Sequence, residues 1–202
     1  MNSKQKKASL INNLKSNRMR SNLTSKGSID HLVETAEDID LTGEQIVKIC
    51  DGKVKVVPYH ELVNVNSIEE LIAPFDAVIL LYETRLNFGH YTALLKDPDG
   101  NLEFFDSYGF APDQELHYAK YDNTPYLTNL IAKYKQKGGK LVYNNYQFQA
   151  WVKDVNTCGR WTSTRVRLAK KYNLQQFQTL FQNIKFYNGD WMVSALTYLY
   201  TF

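Results

Sequence analysis

The 202-residue chain is long enough for one ordinary domain, and its 44% hydrophobic content, with 14 Tyr, 10 Phe and 3 Trp, can fill a sizeable core. No apolar run reaches membrane-spanning length, which excludes a transmembrane helix, and the first residues lack the apolar stretch of a secretory signal. Two cysteines do not make a disulfide framework, so we expect Cys50 and Cys158 to be free thiols in a reducing compartment.

The net charge of +3 is unevenly distributed along the chain. Residues 1–27 hold seven of the 24 basic side chains and none of the 21 acidic ones, so the remainder is mildly acidic. A basic segment rich in Ser and Asn buries too little apolar surface to offset its ordering entropy, which predicts a flexible tail over residues 1–27 and a single domain over residues 28–202. The alternative is a short amphipathic helix near residues 10–14 that docks on the domain.

Two short helices and two strands are the first elements predicted in the domain. Residues 42–45 (Thr-Gly-Glu-Gln) have the capping-box pattern and predict a helix that ends near Cys50. Residues 67–70 (Ser-Ile-Glu-Glu) repeat the pattern for a helix that stops before Pro74. Strands are predicted at residues 53–57 and in the continuous apolar run 77–83, which suits the middle of a sheet.

A β-hairpin is predicted between residues 90 and 107. Two strand-like runs, 90–96 and 102–107, flank the turn sequence Asp-Pro-Asp-Gly-Asn. Proline at the first turn position and glycine two residues later are typical of a type I turn closed by a bulge, with Gly100 in the left-handed conformation. Asp97 then faces Asn101 across the loop.

This register puts His90 and Asp106 on the same face of the hairpin. They become diagonal neighbours with β-carbons about 7–8 Å apart, a distance that two polar side chains can bridge with a hydrogen bond. A change of one residue in the loop would put them on opposite faces, so the pattern permits the pair without requiring it.

The second half of the chain is predicted to be mainly helical. Thr124 and Pro125 start a helix that ends at the Gly-Gly pair 138–139, and a short strand follows at residues 140–143. A longer helix begins near Thr157, and two more are predicted, at residues 174–183 and 190–200. Strands in the middle of the chain with helices at both ends predict an α+β domain.

Cys158 falls in the first turn of its predicted helix, where unpaired N–H groups and the positive end of the helix dipole favour a thiolate. A neighbouring imidazole would complete the activation, and His90, oriented by Asp106, is the candidate base. Backbone N–H groups beside the nucleophile and a side-chain amide could hold the tetrahedral oxyanion; Gln149 is the first choice for that amide and Gln147 the alternative. Each of these residues taken singly is more often structural, but together they supply the parts of an acyl-transfer site.

The motifs around these residues resemble the adenain and SUMO-protease clan of cysteine proteases. They are Gly-His-Tyr at His90, Phe-Asp-Ser-Tyr-Gly at Asp106 and Thr-Cys-Gly at Cys158, with Gln149 between the last two. The clan has the order His, then Asp, Glu or Asn, then Gln, then Cys-Gly, a permuted form of papain's site, and the 16-residue spacing of His90 and Asp106 is close to the clan's usual separation.

Within that clan, the stretches Phe-Phe-Asp-Ser-Tyr-Gly and Thr-Cys-Gly-Arg-Trp look most like capsid maturation proteases of virophages, Polinton-type elements and large DNA viruses. The resemblance covers roughly residues 41–200, and its motifs are specific as a set. Two positions depart from the pattern. Tyr91 stands where many relatives have Trp, and Gln149 lies nine residues before Cys158, a few more than is common.

The resemblance implies a central mixed β-sheet flanked by helices and a cysteine endopeptidase that processes viral capsid or structural proteins during virion maturation. Its catalytic residues would be Cys158, His90, Asp106 and Gln149, and it would act in the host cytoplasm or viral factory and in the virion. The clan's narrow cleft implies cleavage next to Gly or Ala. No cofactor is implied, and the scattered histidines, without a C-x-x-C or H-E-x-x-H motif, predict no metal site.

Two other functions stay open at this stage. One is a deconjugating isopeptidase acting on a ubiquitin-like protein, and the other is a non-enzymatic DNA- or capsid-binding protein that kept the fold. The complete set of His90, Asp106 and Cys158 argues against a non-enzymatic binding protein. The similarity of the motifs to those of viral proteases favours capsid maturation over deconjugation. The basic tail would bind DNA non-specifically, unless it contacts an acidic capsid surface or serves only solubility.

Overall fold

The computed structural model describes residues 24–118 and 123–201. None of the helices in these ranges is long and apolar enough to cross a membrane. The helices are α1 (Thr24–Glu37), α2 (Gly43–Ile49), α3 (Ile68–Ile72), α4 (Tyr126–Gln136), α5 (Cys158–Leu168), α6 (Leu174–Gln182) and α7 (Gly189–Thr197), with 3-10 turns at Tyr59–Asn64, Gln114–His117 and Tyr198–Tyr200. The strands are β1 (Lys55–Pro58), β2 (Ala77–Arg85), β3 (Phe88–Lys96), β4 (Leu102–Phe105) and β5 (Leu141–Tyr143).

The strands form one mixed sheet in the order β1-β2-β3-β4-β5. The outer pairs, β1 with β2 and β4 with β5, are parallel, whereas β3 is antiparallel to both of its neighbours. With helices packed on both faces of the sheet, the architecture is α+β, as the sequence predicts.

Successive side chains of β2 point to opposite faces of the sheet, and on both faces most of them are apolar and covered by helices. Ile79 and Leu81 belong to a core cluster shared with α2, α5, α6 and α7. Val78, Leu80 and Tyr82 belong to a second cluster shared with α3, α4 and the turn Tyr59–Asn64. Each fully buried side chain of this size stabilises the fold by about 1.5–3 kcal/mol relative to an exposed one.

The predicted hairpin is confirmed in turn type and register. Leu94 pairs with Phe104, and Ala93 pairs with Phe105. Across the turn, the Asp97 N–H donates to the Asn101 carbonyl over 3.0 Å, and Gly100 has φ +80°. β4 ends at Phe105, so Asp106 follows directly after the last paired residue.

The starts of α2 and α3 follow the predicted capping patterns, but the start of α4 does not. Thr42 caps α2 with both bonds of a capping box, and the Ser67 side chain accepts from the Glu70 N–H at the start of α3. At α4, however, Pro125 is the N-cap residue rather than Thr124. The Tyr126 N–H donates to the Thr124 carbonyl over 2.8 Å, a tight turn that delays the helix by one residue.

Helix α1 begins at Thr24, four residues before the predicted start of the domain at residue 28. Its Val33 and Ala36 side chains are buried, and the helix packs on α7. Residues 1–23, which make up most of the predicted basic tail and include the alternative helix near residues 10–14, lie outside the described part of the chain.

A buried ion pair fixes α5 on the sheet. Arg165 of α5 donates from Nε and Nη2 to the two carboxylate oxygens of Glu103 in β4, over 2.7 and 2.6 Å, and neither side chain is exposed. Arg165 Nη1 also donates to the Tyr172 carbonyl over 3.0 Å. The bidentate geometry offsets much of the cost of burying both charges. The pair sets the position of the helix that begins with Cys158.

Candidate active site

Three of the predicted site residues meet at one end of the sheet. His90 lies near the start of β3, where it pairs only with Tyr82 of β2, because β4 has already ended at Phe105. Asp106 leaves the sheet beside it, and Cys158 is the first residue of α5.

His90 is bonded to Asp106, the pairing that the hairpin register permits. The distance from His90 Nε2 to Asp106 Oδ2 is 3.0 Å. Since a carboxylate can only accept, Nε2 carries a proton and donates it to Asp106. This fixes the tautomer and leaves Nδ1 as the nitrogen that can exchange a proton with a nucleophile.

Asp106 is held rigidly and is fully buried. Its Oδ1 accepts from the Tyr108 N–H over 2.7 Å. Its backbone N–H donates to Asn144 Oδ1 over 3.0 Å, and the Asn144 amide donates back to the Asp106 carbonyl over 2.6 Å. The carboxylate therefore has little freedom to turn away from His90.

Cys158 is 7% exposed and lies close enough to His90 for its sulfur to affect the charge state of the imidazole. The next residue, Gly159, lies so close to its neighbours that an added Cβ would stand 3.1 Å from Ile46 and 3.3 Å from Leu41 and Tyr91. The absence of a side chain thus lets the first turn of α5 approach α2 and β3. Tyr91, which follows His90, packs against this turn.

The charge state of His90 is set by its two partners. Burial by itself lowers the pKa of the imidazole, but the Asp106 carboxylate and the Cys158 sulfur more than compensate, so the pKa of His90 is well above its usual range. The neighbouring carboxylate and sulfur therefore favour a protonated imidazole at this position.

Asp190, in the first turn of α7, anchors the segment before Cys158. Its Oδ1 accepts from the Thr157 hydroxyl and from Trp161 Nε1, the latter over 2.8 Å. Its Oδ2 accepts from the Ala150 N–H over 2.9 Å. A single buried carboxylate thus ties together α7, the start of α5 and the segment that carries Gln149.

The end of α1 holds the same segment from the other side. The Asn156 N–H donates to the Glu37 carbonyl over 2.8 Å. Arg160 is fully buried, and its Nη2 donates to the Ala36 and Ile39 carbonyls over 2.7 and 3.2 Å. Burial lowers the pKa of Arg160 to about 10, which still leaves it charged at neutral pH.

Gln149 and Gln147, the two candidates for the oxyanion amide, have different surroundings. Gln149 is buried, and its Nε2 donates to the Tyr108 hydroxyl over 3.0 Å and to the Val155 carbonyl over 2.9 Å. Its Oε1 accepts from the Ser107 hydroxyl over 2.8 Å. Gln147 is exposed and donates only to the Gln149 carbonyl, over 2.9 Å.

A second carboxylate, Glu115, also faces His90. Its Oε1 is 3.7 Å from His90 Nε2, is buried and has no hydrogen-bond partner. Among the described residues, His90, Asp106 and Glu115 form a group of metal-binding side chains whose ligand atoms lie within 4.8 Å of one another. Burial raises the pKa of Glu115, and the charge of His90 opposes that rise. Because His90 Nε2 and Asp106 Oδ2 are already bonded to each other, we interpret Glu115, when ionised, as a further negative charge beside the imidazolium.

Replacement of Glu115 by glutamine should move the alkaline limb of the pH–activity profile to lower pH. Removing a carboxylate near the ring makes the imidazolium easier to deprotonate, so the active ion pair is lost sooner as the pH rises. The measurement is kcat/KM from pH 5 to 10 for the unaltered protein and for Glu115→Gln. Glu61→Gln, an exposed carboxylate, is the control, and an unshifted limb in Glu115→Gln would show that this charge does not act on His90.

The remaining histidines and Cys50 lie outside this group. Cys50 is buried in the core, and burial raises the pKa of its thiol to about 12. His60 bonds Glu83 over 2.8 Å and is half exposed, and His31 and His117 are exposed. No sequence pattern points to Asn144, Asp190 or Glu115, because their roles depend on contacts between distant segments.

One comparison connects the chain with a known protein, although no family model matches it. Over 171 aligned residues it is 35% identical to uncharacterized protein V9 of Sputnik virophage, and the alignment covers 80% of this chain and 95% of the virophage protein. Similarity at this level over nearly the whole of the relative indicates common descent. The chain therefore belongs to the same protein family as this virophage protein.

Proposed function

We propose that the chain is a cysteine endopeptidase that processes viral capsid or other structural proteins during virion maturation. The observation that carries the proposal is the position of His90, whose Nε2 is hydrogen-bonded to Asp106 and whose imidazole lies close enough to the Cys158 sulfur for the two groups to interact electrostatically. A buried thiol, an imidazole and a fixed carboxylate in this order are the parts needed for nucleophilic attack on an amide. The relationship to a virophage protein supports a viral setting.

In the proposed reaction, His90 Nδ1 takes the proton of the Cys158 thiol, and the thiolate attacks the carbonyl carbon of the scissile amide. The N–H groups at the start of α5 and the Gln149 amide stabilise the oxyanion. His90 then gives its proton to the leaving amine as the C–N bond breaks, which leaves a thioester on Cys158. A water molecule, deprotonated by His90, attacks the thioester, and the proton returns to the sulfur as the acid product leaves.

The direct test is to incubate the protein with capsid proteins of the same virus and to map new termini by mass spectrometry. We expect cuts next to Gly or Ala, because the resemblance to adenain-type proteases implies a narrow cleft at the scissile bond. Parallel reactions with ubiquitin-like fusion proteins distinguish an isopeptidase. Cuts that follow mainly bulky or charged residues would contradict the expected preference, and the absence of any cut would contradict protease function.

A second expectation concerns the basic residues before α1. Residues 1–23 contain six Lys and Arg and no acidic residue, so duplex DNA should bind this segment weakly, without sequence preference and with strong salt dependence. The log–log slope should be about −0.9 per phosphate contact. The comparison is between the full chain and a version that begins at Thr24, which keeps α1 and its contacts with Asn156 and Arg160. Equal affinities, or no binding by either protein, would remove this role.

A further inference from the structure

Four aromatic side chains form a continuous surface beside His90. We call them the aromatic ledge: Tyr108, Phe110, Tyr118 and Trp151. Trp151 is its centre, with ring centroids 4.5 Å from Tyr108, 5.7 Å from Phe110 and 6.4 Å from Tyr118. Trp151 and Tyr118 are 57% and 53% exposed, so the ledge is open to solvent although its rings contact one another.

The ledge is held in place by the catalytic group itself. The Tyr108 N–H donates to Asp106, and the Tyr108 hydroxyl accepts from Gln149. Gly109 has φ +81°, and an added Cβ would stand 3.0 Å from the Tyr146 backbone, so only glycine allows the chain to turn here and bring Phe110 back to Trp151. Exposed aromatic surface fixed in this way is typical of a binding site rather than of a mobile loop.

The position of the ledge relative to His90 indicates which part of a substrate it would meet. The Tyr108 ring stacks on the His90 ring with centroids 4.9 Å apart and planes 21° apart. In amide cleavage, His90 must hand its proton to the leaving amine, so the chain that departs begins next to the imidazole. The acyl part stays attached to Cys158. A surface that continues from the His90 ring is therefore on the leaving side of the scissile bond.

We propose that the aromatic ledge is the subsite for the residues that follow the scissile bond, and that it takes a large apolar or aromatic side chain of a polypeptide substrate. The inference rests on the proposed protease function. It adds a preference for a large apolar residue after the scissile bond to the expected preference for small residues next to it. Stacking on Trp151 and Tyr108 would bury a side chain of the substrate and bring the scissile nitrogen close to His90.

The first test uses peptides that are identical up to a mapped cleavage site and carry Phe, Leu, Gly or Lys at the first two positions after it. We expect kcat/KM to be about 10-fold or more higher for Phe than for Gly, and we expect Trp151→Ala to abolish this difference between the two peptides. Phe186→Ala removes another exposed aromatic side chain (88% exposed) and should leave the preference unchanged. A preference that survives in Trp151→Ala would overturn the proposal.

The second test does not depend on turnover. Short peptides with a free amino terminus mimic the leaving product, so Phe-Ser-Gly and Gly-Ser-Gly are titrated into Cys158→Ala protein and followed by NMR. We expect Phe-Ser-Gly to bind at least about 10-fold more tightly, and Trp151→Ala to remove the difference. Equal binding would overturn the ledge as a subsite even if the protein is a protease, whereas the absence of any cleavage would contradict the proposed function.

Discussion

Replacement of Cys158 by alanine should reduce kcat/KM by about 10⁵- to 10⁶-fold, to the level that remains when the nucleophile of a triad is removed. The covalent route requires the sulfur, and neither His90 nor Asp106 can replace it as the attacking atom. The fold should remain, because the contacts that position α5 are made by Arg160, Arg165 and Trp161 rather than by the thiol. Activity and thermal unfolding should therefore be measured on the same preparations.

Cys50→Ala is the matched control, since Cys50 is the second buried thiol of the chain. It lies in the core and has only a long contact of 3.9 Å with the Ser163 carbonyl, so its loss should leave kcat/KM nearly unchanged. Iodoacetamide at neutral pH should label Cys158 and spare Cys50, whose pKa is raised to about 12 by burial. An essential Cys50 with a dispensable Cys158 would contradict the assignment of the nucleophile.

The part of the site that sequence reasoning could predict is the part encoded locally. The Pro and Gly positions of the 97–101 turn specify the loop type, and the loop type specifies the register. The register in turn brings His90 to Asp106, 16 residues away, within 3.0 Å. No such rule connects either residue with Cys158, which comes from a helix much later in the chain, and the resemblance of the motifs was needed to predict that the three meet.

The residues that hold the site in place, Asn144 and Asp190, show why the other part of the site could not be predicted from the sequence. Asn144 is 38 residues from Asp106, and Asp190 is 33 residues from Thr157, and neither separation follows from a helical or strand repeat. The start of the domain is a similar case. The charge pattern alone predicts a tail that extends to residue 27, but α1 begins at Thr24. Near the end of this helix, the Ala36 carbonyl accepts a hydrogen bond from Arg160.

Gln149→Ala should lower kcat by about 10²- to 10³-fold with little change in KM, because an oxyanion donor acts only once charge has developed on the substrate. In the structure, the Gln149 amide donates to the Tyr108 hydroxyl and the Val155 carbonyl, so one of these bonds must give way to the oxyanion during the reaction. Gln147→Ala is the matched control, since this exposed side chain donates only to the Gln149 carbonyl.

The burial of Gln149 requires a second readout, because its removal also leaves the Ser107 hydroxyl and the Val155 carbonyl without a partner. That alone should cost about 1–3 kcal/mol in the free energy of unfolding. Unfolding curves for both variants show the temperature up to which each remains fully folded. The kcat values are then compared at a temperature at which both variants are folded. A scaffold that has merely loosened would raise KM and reduce Cys158 alkylation, whereas loss of an oxyanion donor would change neither. A kcat loss confined to Gln147→Ala would mean that Gln147, and not Gln149, supplies the amide.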